Sequence, residues 1–400
     1  MLLASFHRLA LTLAAGCLLP AAHGATFLFD ATKAEMAGNA DWVIDADAHN
    51  LKVSAAADGS GTTGTGGNES NPQRFPTPDQ TNIVASTSET YWEGALSAWA
   101  IDLVKNGQHV ETLPCTNRIT WRDGSNVQDL TNYNVFVLVE PNIYFTAAEK
   151  TALVSFVQNG GSLFIVSDHS VADRNNDGSD AYQVLNDLMT NSVQNNPFGI
   201  HFNGDNISVT STTYDTNADD LITHGTAGTP TSFAYHNGST ISINPNQNPT
   251  ARIAFWSSST RGTNNALIAY ASYGTGKVVA IGDSSPFDDG TGDPNDTLNV
   301  DYTLTSVGDG KAILNASLWL AQTPARIVVP TPTLRLQLRP GAVQVTWPTN
   351  ATGFILQTTT NLAVTNSWVS LTNGAGILAT NYIFTNGTAG DSRYYRLTKP

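Results

Sequence analysis

The chain has 400 residues, only 13% of them charged, and a formal net charge of −14. That length exceeds the usual single domain, so two domains are expected. Charged residues stand at about half their usual share, with Asn, Thr, Ser and Gly in their place. The acidic balance argues against direct nucleic-acid binding, which needs Lys and Arg clusters against phosphates, and it suits divalent cations.

Residues 1–24 read as a signal peptide. His7 and Arg8 precede an apolar stretch from Leu9 to Leu19, and Ala22 and Gly24 put small residues at the exit. The stretch is too short to remain as a membrane span, and no later segment comes near the needed length. The mature chain is therefore expected to be secreted or periplasmic, with no transmembrane segment. Cys17, behind Ala14-Ala15-Gly16, loosely resembles a lipoprotein site and is weighed against plain secretion. Once the leader is removed Cys115 is the one cysteine left, so no intramolecular disulfide can form.

Thr26 to Phe29 is an apolar run ending at Asp30, a first strand. Residues 58–70 are Gly-, Ser- and Thr-rich. They lack the Lys-Ser/Thr and the flanking strand of a phosphate loop, so a polar surface insertion is expected. Ser86 and Glu89 have capping-box spacing, and Trp92, Leu96, Trp99 and Leu103 recur at helical intervals up to Gly107. Strands are expected at His109–Leu113 and Val135–Val139, the second a continuous apolar run of the doubly buried kind. Thr146 and Glu149 form another capping box, opening a helix that Asn159-Gly160-Gly161 stops. Leu163–Val166 and Lys277–Ile281 are further buried strands, and Lys311–Leu320 is a last amphipathic helix. This order predicts a doubly wound, mostly parallel α/β sheet over residues 25–322. Between Ile200 and Ser272, Thr/Ser-rich alternation reads as β-rich decoration on that sheet.

Residues 323–332 are Pro-rich and read as a linker. From 333 onward, Val343–Trp347, Phe354–Gln357, Trp368–Leu371, Tyr382–Phe384 and Tyr394–Leu397 are short strands of a small β-sandwich. Thr359-Thr360-Asn361-Leu362, Trp368 and Tyr394-Tyr395-Arg396-Leu397 resemble fibronectin-III-like modules, which implies a spacer or an attachment unit.

In an open parallel sheet, ligands bind beyond the carboxyl ends of the strands. Asp30, Glu140, Asp168 with His169, and Asp283 with Ser284 and Ser285 all follow strands. Each carboxylate alone reads as a cap or a turn former; together they make a shared site worth testing. Its candidate catalytic residues are Asp30, Asp168, His169 and Asp283. An imidazole there can act as base, acid or ligand. The plainer reading is a structural His bonded to the neighbouring acidic turn.

Phe145-Thr146-Ala147-Ala148-Glu149-Lys150, followed by Gly160-Gly161-Ser162 through Ser167-Asp168-His169, resembles the class I glutamine-amidotransferase-like fold, and within it the trehalose-utilisation branch. Tyr273-Gly274-Thr275-Gly276-Lys277 with Val278–Asp283 resembles the closing strand of that fold. The resemblance spans about residues 25–322 and implies a flavodoxin-like architecture. A glutamine amidotransferase needs a nucleophilic Cys on a tight turn. Here Asp168-His169 ends the strand and Cys115 follows another one, so glutaminase activity is not expected. No Gly-x-Ser-x-Gly elbow occurs. Ser284 with His169 and an Asp is weighed as a hydrolytic triad against a simple helix cap.

Asp173, Asn175, Asp177 and Asp180 place oxygen ligands around a Gly turn, like the start of a calcium loop; Val184 stands where the bidentate Glu belongs. Residues 288–296 form a second oxygen-rich loop. Oxygen donors with one His favour calcium, magnesium or manganese over zinc. Two functions stay open. One is a metal-assisted hydrolase acting on extracellular carbohydrate or another polymer. The other is a non-catalytic binding or scaffold protein with structural calcium, engaging an extracellular polymer or a cell-surface component.

Overall fold

The computed structural model describes residues 24–35, 37, 40–45, 78–115, 117–192, 194–291, 301–322, 333–348, 354–362, 367–371, 375–378, 381–387 and 392–398. The expected leader, the insertion at 58–70, the linker at 323–332 and part of the second oxygen-rich loop lie outside them. The chain divides into two compact units, Met1–Arg326 and Ile327–Pro400.

The first unit opens with β1 (Thr26–Asp30), α1 (Ser97–Lys105), β2 (His109–Leu113), β3 (Val135–Val139), α2 (Ala147–Gln158), β4 (Ser162–Val166) and α3 (Ala181–Thr190). It continues with β5 (Ile200–Phe202), β6 (Ile207–Ser211), β7 (Phe233–Gly238), β8 (Ile241–Ile243), β9 (Arg252–Trp256), β10 (Ala266–Tyr273), β11 (Gly276–Ile281) and α4 (Asp309–Ala321). The sheet order is β2-β1-β3-β4-β11-β10-β8-β5, with β9 on β10. Pairing is parallel from β2 to β11 and antiparallel beyond. The segment read as decoration therefore extends the sheet itself, while β6 and β7 form a separate two-stranded ribbon.

Alternate side chains of each parallel strand go to opposite faces, and both faces are covered. Phe27, Phe29, Val137, Phe164 and Val279 pack with Trp99 of α1 and with Ile313 and Leu320 of α4. Leu28, Phe136, Leu163, Ile165 and Val278 pack with Phe156 of α2 and Leu185 of α3. This double cover explains the unbroken apolar runs. Trp99 anchors its layer edge-on against Phe29 and Phe164, with ring centroids 5.0 Å apart in each pair.

The Thr146–Glu149 capping box is present, Thr146 N donating to Glu149 Oε2 at 2.8 Å. Gly160 ends the helix at φ +103°, a left-handed turn that glycine tolerates. The helix expected from Ser86 begins only at Ser97. Ser88, Thr87 and Thr90 side chains bond to one another and to nearby backbone instead, which competes with helix. Gly94 also sits where a Cβ would lie 2.5 Å from the Val43 carbonyl oxygen. Helix α3 was not among the expected elements; the Asp180–Gln183 pair at its start, with Asp180 N donating to Gln183 Oε1 at 2.9 Å, is a capping-box signal.

The second unit holds β12 (Arg335–Arg339), β13 (Ala342–Pro348), β14 (Ile355–Thr359), β15 (Val369–Ser370), β16 (Gly376–Leu378), β17 (Asn381–Gly387) and β18 (Tyr394–Thr398). They form antiparallel sheets β12-β13-β17-β16 and β15-β14-β18. Val345, Trp347 and Leu356 bury between them with Phe384 and Leu397, so the unit is a small β-sandwich.

Candidate functional site

The strand order places β1 and β3 side by side, with the chain running outward in opposite directions from them. That is the flavodoxin-like order, and ligands bind at the carboxyl edge near the reversal. Glu140 follows β3, Ser167 and Asp168 follow β4, and Gly282 and Asp283 follow β11. Backbone bonds from Glu140 N to Val166 O (2.9 Å) and from Ser167 N to Ile281 O (2.8 Å) hold these ends in step.

Asp168, His169, Arg174, Ser208, His236, Asn237 and Ser285 line one cleft of about 390 Å³. Two of the four expected catalytic residues, Asp168 and His169, thus share it. Asp283 is buried behind the wall, accepting from His236 N at 2.5 Å and from Ser285 N at 2.9 Å. Its position supports the β7 wall of the cleft. Asp30 is not among the lining residues; its neighbours are Thr32, Lys33 and Glu35.

Arg174, not singled out from sequence, organises the acidic wall. Its Nε donates to Glu140 Oε1 at 2.6 Å and its Nη2 to Asp168 Oδ2 at 2.9 Å. Glu140 Oε2 also accepts from Trp42 Nε1 (2.6 Å) and Ser284 Oγ (2.9 Å). Glu140 is fully buried and adopts φ +51°, a left-handed conformation costing a non-glycine residue about 1–3 kcal/mol. Burial, with Glu140 and Asp283 alongside, pushes the Asp168 carboxyl well above the usual range, against the pull of Arg174. Burial likewise raises Asp283 to about 7. Since Ser284 donates to Glu140, its hydroxyl is committed there, and the weighed Ser284–His169 triad has no such contact.

His169 N donates to Asp168 Oδ1 at 2.7 Å. Its ring Nδ1 lies 2.5 Å from Ser170 O, an acceptor that assigns the proton to Nδ1. Asn206's amide lies 3.0 Å from the same nitrogen. Nε2 lies 3.9 Å from Asp168 Oδ2. His236, in the same lining, is half-exposed, with Nε2 2.7 Å from Asp301 Oδ2. No periodic pattern marks His236; only the β7 fold places it here.

The expected metal ligands stand in one loop and serve its own turns. Asp173 accepts from Asp177 N (3.1 Å) and Gly178 N (2.7 Å), and Asp177 accepts from Ser179 N (3.0 Å). Asn175 donates to Asn142 O and to Asp177 Oδ2, both at 3.0 Å. Asp180 points back to Val171 N at 2.9 Å. Among the described residues no group of three or more His, Cys, Asp or Glu side chains is gathered to hold a metal ion. Asp289 of the second oxygen-rich loop instead caps α1, accepting from Ala98 N (2.7 Å) and Ser97 Oγ (2.6 Å). Among the described residues no helix is long and apolar enough to cross a membrane.

The chain matches no known protein family and no curated protein. Several solved structures are similar to it in chain path. The mmIFT52 N-terminal domain shares 15% identity over 76% of this chain and 100% of its own, with a TM-score of 0.42. Cytoplasmic Protein STM3548 from Salmonella typhimurium shares 12% identity over 57% of this chain and 87% of its own, at TM-score 0.37. A putative ThuA-like protein from Parabacteroides merdae shares 14% identity over 54% of this chain and 80% of its own, at TM-score 0.32. Likenesses this distant concern architecture; function is decided by the site.

Proposed function

We propose that the first unit is an extracytoplasmic hydrolase acting on carbohydrate or another hydroxyl-rich polymer, with His169 as general base. The observation that carries this reading is the fixed imidazole: Nδ1 is held by the Ser170 carbonyl, so Nε2 is the basic nitrogen at the cleft. A water in the cleft gives Nε2 its proton as it attacks the scissile centre. The electron pair of the broken bond leaves on the substrate oxygen, which takes the proton from Nε2 and returns the imidazole to its starting form. The lining of hydroxyl, amide, imidazole and carboxyl groups suits a ligand rich in hydroxyls. The leader read at residues 1–24 supports export, and the fibronectin-III-like motifs of the second unit support an attachment or spacer role there. The proton transfer uses the chain's own groups.

The test is His169→Gln on a panel of polysaccharides, glycosides and esters. Activity should fall about 100-fold or more with the melting temperature unchanged. A folded variant of full activity would remove the base role.

A second reading, a non-catalytic binding or scaffold unit with structural calcium at Asp173, Asn175, Asp177 and Asp180, is favoured by one observation. Arg174 already compensates the Glu140 and Asp168 carboxylates, as a purely structural network would. Polymer binding without turnover by the wild type, with a calcium-dependent melting temperature abolished in Asp177→Ala, would establish this reading instead.

A further inference from the structure

We propose that the cleft hydrolyses an O-acyl ester carried on a carbohydrate or similar polyhydroxyl polymer, with the Asn237 side-chain amide binding the oxyanion. The proposal rests on the hydrolase reading and names its substrate class.

The carboxyl groups argue against a glycosidic bond as the target. Glycosidases ordinarily flank that bond with two carboxyl groups, one acting as acid and the other as nucleophile or base. Among the described residues that line the cleft, Asp168 is the one carboxylic acid. Both its oxygens are engaged, Oδ1 by His169 N at 2.7 Å and Oδ2 by Arg174 Nη2 at 2.9 Å. Ester hydrolysis asks for a different pair of groups: a base for the attacking water, and a donor where the carbonyl oxygen becomes negative.

The donor comes from a bulge in the β6–β7 ribbon. Ile207 pairs with Gly238 and Val209 with Tyr235, so Ser208 alone stands opposite both His236 and Asn237. Neighbours on a regular strand face opposite ways. The extra residue of a bulge re-aims them, and here Ser208, His236 and Asn237 all line the cleft. Asn237 takes φ +66°, a left-handed conformation that Asn adopts more readily than most residues. The end of β11 clamps the bulge: Asp283 Oδ2 accepts from His236 N at 2.5 Å, and Ser285 Oγ donates to His236 O at 3.3 Å.

Ser208 sets the orientation of the amide. Its Oγ accepts from Asn237 N at 3.0 Å and donates to Asn237 Oδ1 at 2.9 Å. The oxygen end of the amide is thereby engaged, and the Nδ2 end carries the N–H donors for the cleft. The reaction then balances within the site. Water attacks the acyl carbon as His169 Nε2 takes its proton, and the carbonyl π pair moves onto oxygen, which accepts from Asn237 Nδ2. That pair returns to rebuild the carbonyl, and the bond between the acyl carbon and the polymer oxygen breaks. The polymer oxygen leaves with the electron pair and takes the proton from Nε2, giving a carboxylic acid and a free hydroxyl.

The experiment gives the full chain O-acetylated xylan and the same polymer after alkaline deacetylation, measuring released acetate and new reducing ends together. Acetate should appear without reducing ends, and the deacetylated polymer should be inert. Asn237→Asp keeps the shape and the acceptor for Ser208 but removes the donor. Asn237→Gly removes the side chain and suits the left-handed backbone. In both, kcat on the acetylated polymer should fall about 100-fold with KM nearly unchanged, and the glycine variant should melt no lower than wild type. If Asn237→Asp fails to fold, Asn237→Gly decides alone. New reducing ends without acetate would overturn the ester assignment and leave the hydrolase reading standing. Release of neither product would overturn both. Full kcat in the folded Asn237 variants, on an ester that the wild type cleaves, would overturn the oxyanion role.

Discussion

Arg174 and Glu140 form a short ion pair, Nε to Oε1 at 2.6 Å, at the junction of the ends of β3 and β4. The guanidinium comes from the loop after β4 and its second arm holds Asp168. One cation therefore fixes two strand ends and the acidic wall beneath the cleft. Such a fork matches carboxylates in a way an ammonium cannot.

Removing that cation leaves two buried carboxyl groups without compensation. Arg174→Ala should cost about 3–5 kcal/mol of stability, read as a shift of the urea midpoint. Arg174→Lys should recover only part of it, lacking the second arm. Adding Glu140→Gln to Arg174→Ala should restore stability by removing one stranded charge. A loss under about 1 kcal/mol for Arg174→Ala, the range of exposed pairs, would show that the network carries no such energy.

Stability should fall as pH rises through neutrality. Burial raises Asp30 to about 6, Asp283 to about 7 and Asp309 to about 8, and lifts Glu35 and Asp168 well above the ordinary range. Each group binds its proton more tightly folded than unfolded, so its contribution is complete below about pH 4 and lost through its folded value. The window runs from about pH 4 to about pH 8. Asp79 and Asp123, lowered by their hydrogen bonds to Thr81 and Ser125, act in the opposite direction but are fully exposed. Thermal melts should drop by several degrees between about pH 5 and about pH 8. Asp309→Asn should flatten the upper part of that slope, and a melting temperature that climbs over the same range would refute the assignment.

Helix α1 has Leu96 at its N-cap position, with no side-chain cap of its own. Asp289 supplies the cap from 191 residues further along the chain, accepting from Ala98 N. Asp289→Ala should cost about 1–2 kcal/mol, and Asp289→Asn less, since an amide oxygen still accepts. Hydrogen exchange at Ala98 and its neighbours should quicken in the alanine variant. Unchanged protection there would mean that packing of Trp99 alone starts the helix.

The parallel core was legible because each strand buries both faces, and an apolar run such as Val135–Val139 needs no partner to be recognised. The same holds for α2, whose start and stop lie within its own sequence at Thr146, Glu149 and Gly160. From these runs the positions of Asp168 and His169 at the carboxyl edge followed directly. What the sequence could not supply was set by contacts between distant segments. Helix α1 starts at Ser97 because Gly94 passes close to Val43 and Asp289 caps it, not because of the Ser86–Glu89 spacing. Arg174 becomes the hub of the acidic wall only once β3 and β4 lie side by side, and His236 joins the cleft lining only once β7 packs beside the end of β11. Asp30, at the end of β1, stands outside the cleft lining, beside Thr32, Lys33 and Glu35. Local patterning encodes which segments bury themselves, whereas the pairing of charges and the lining of a cleft depend on which buried segments become neighbours.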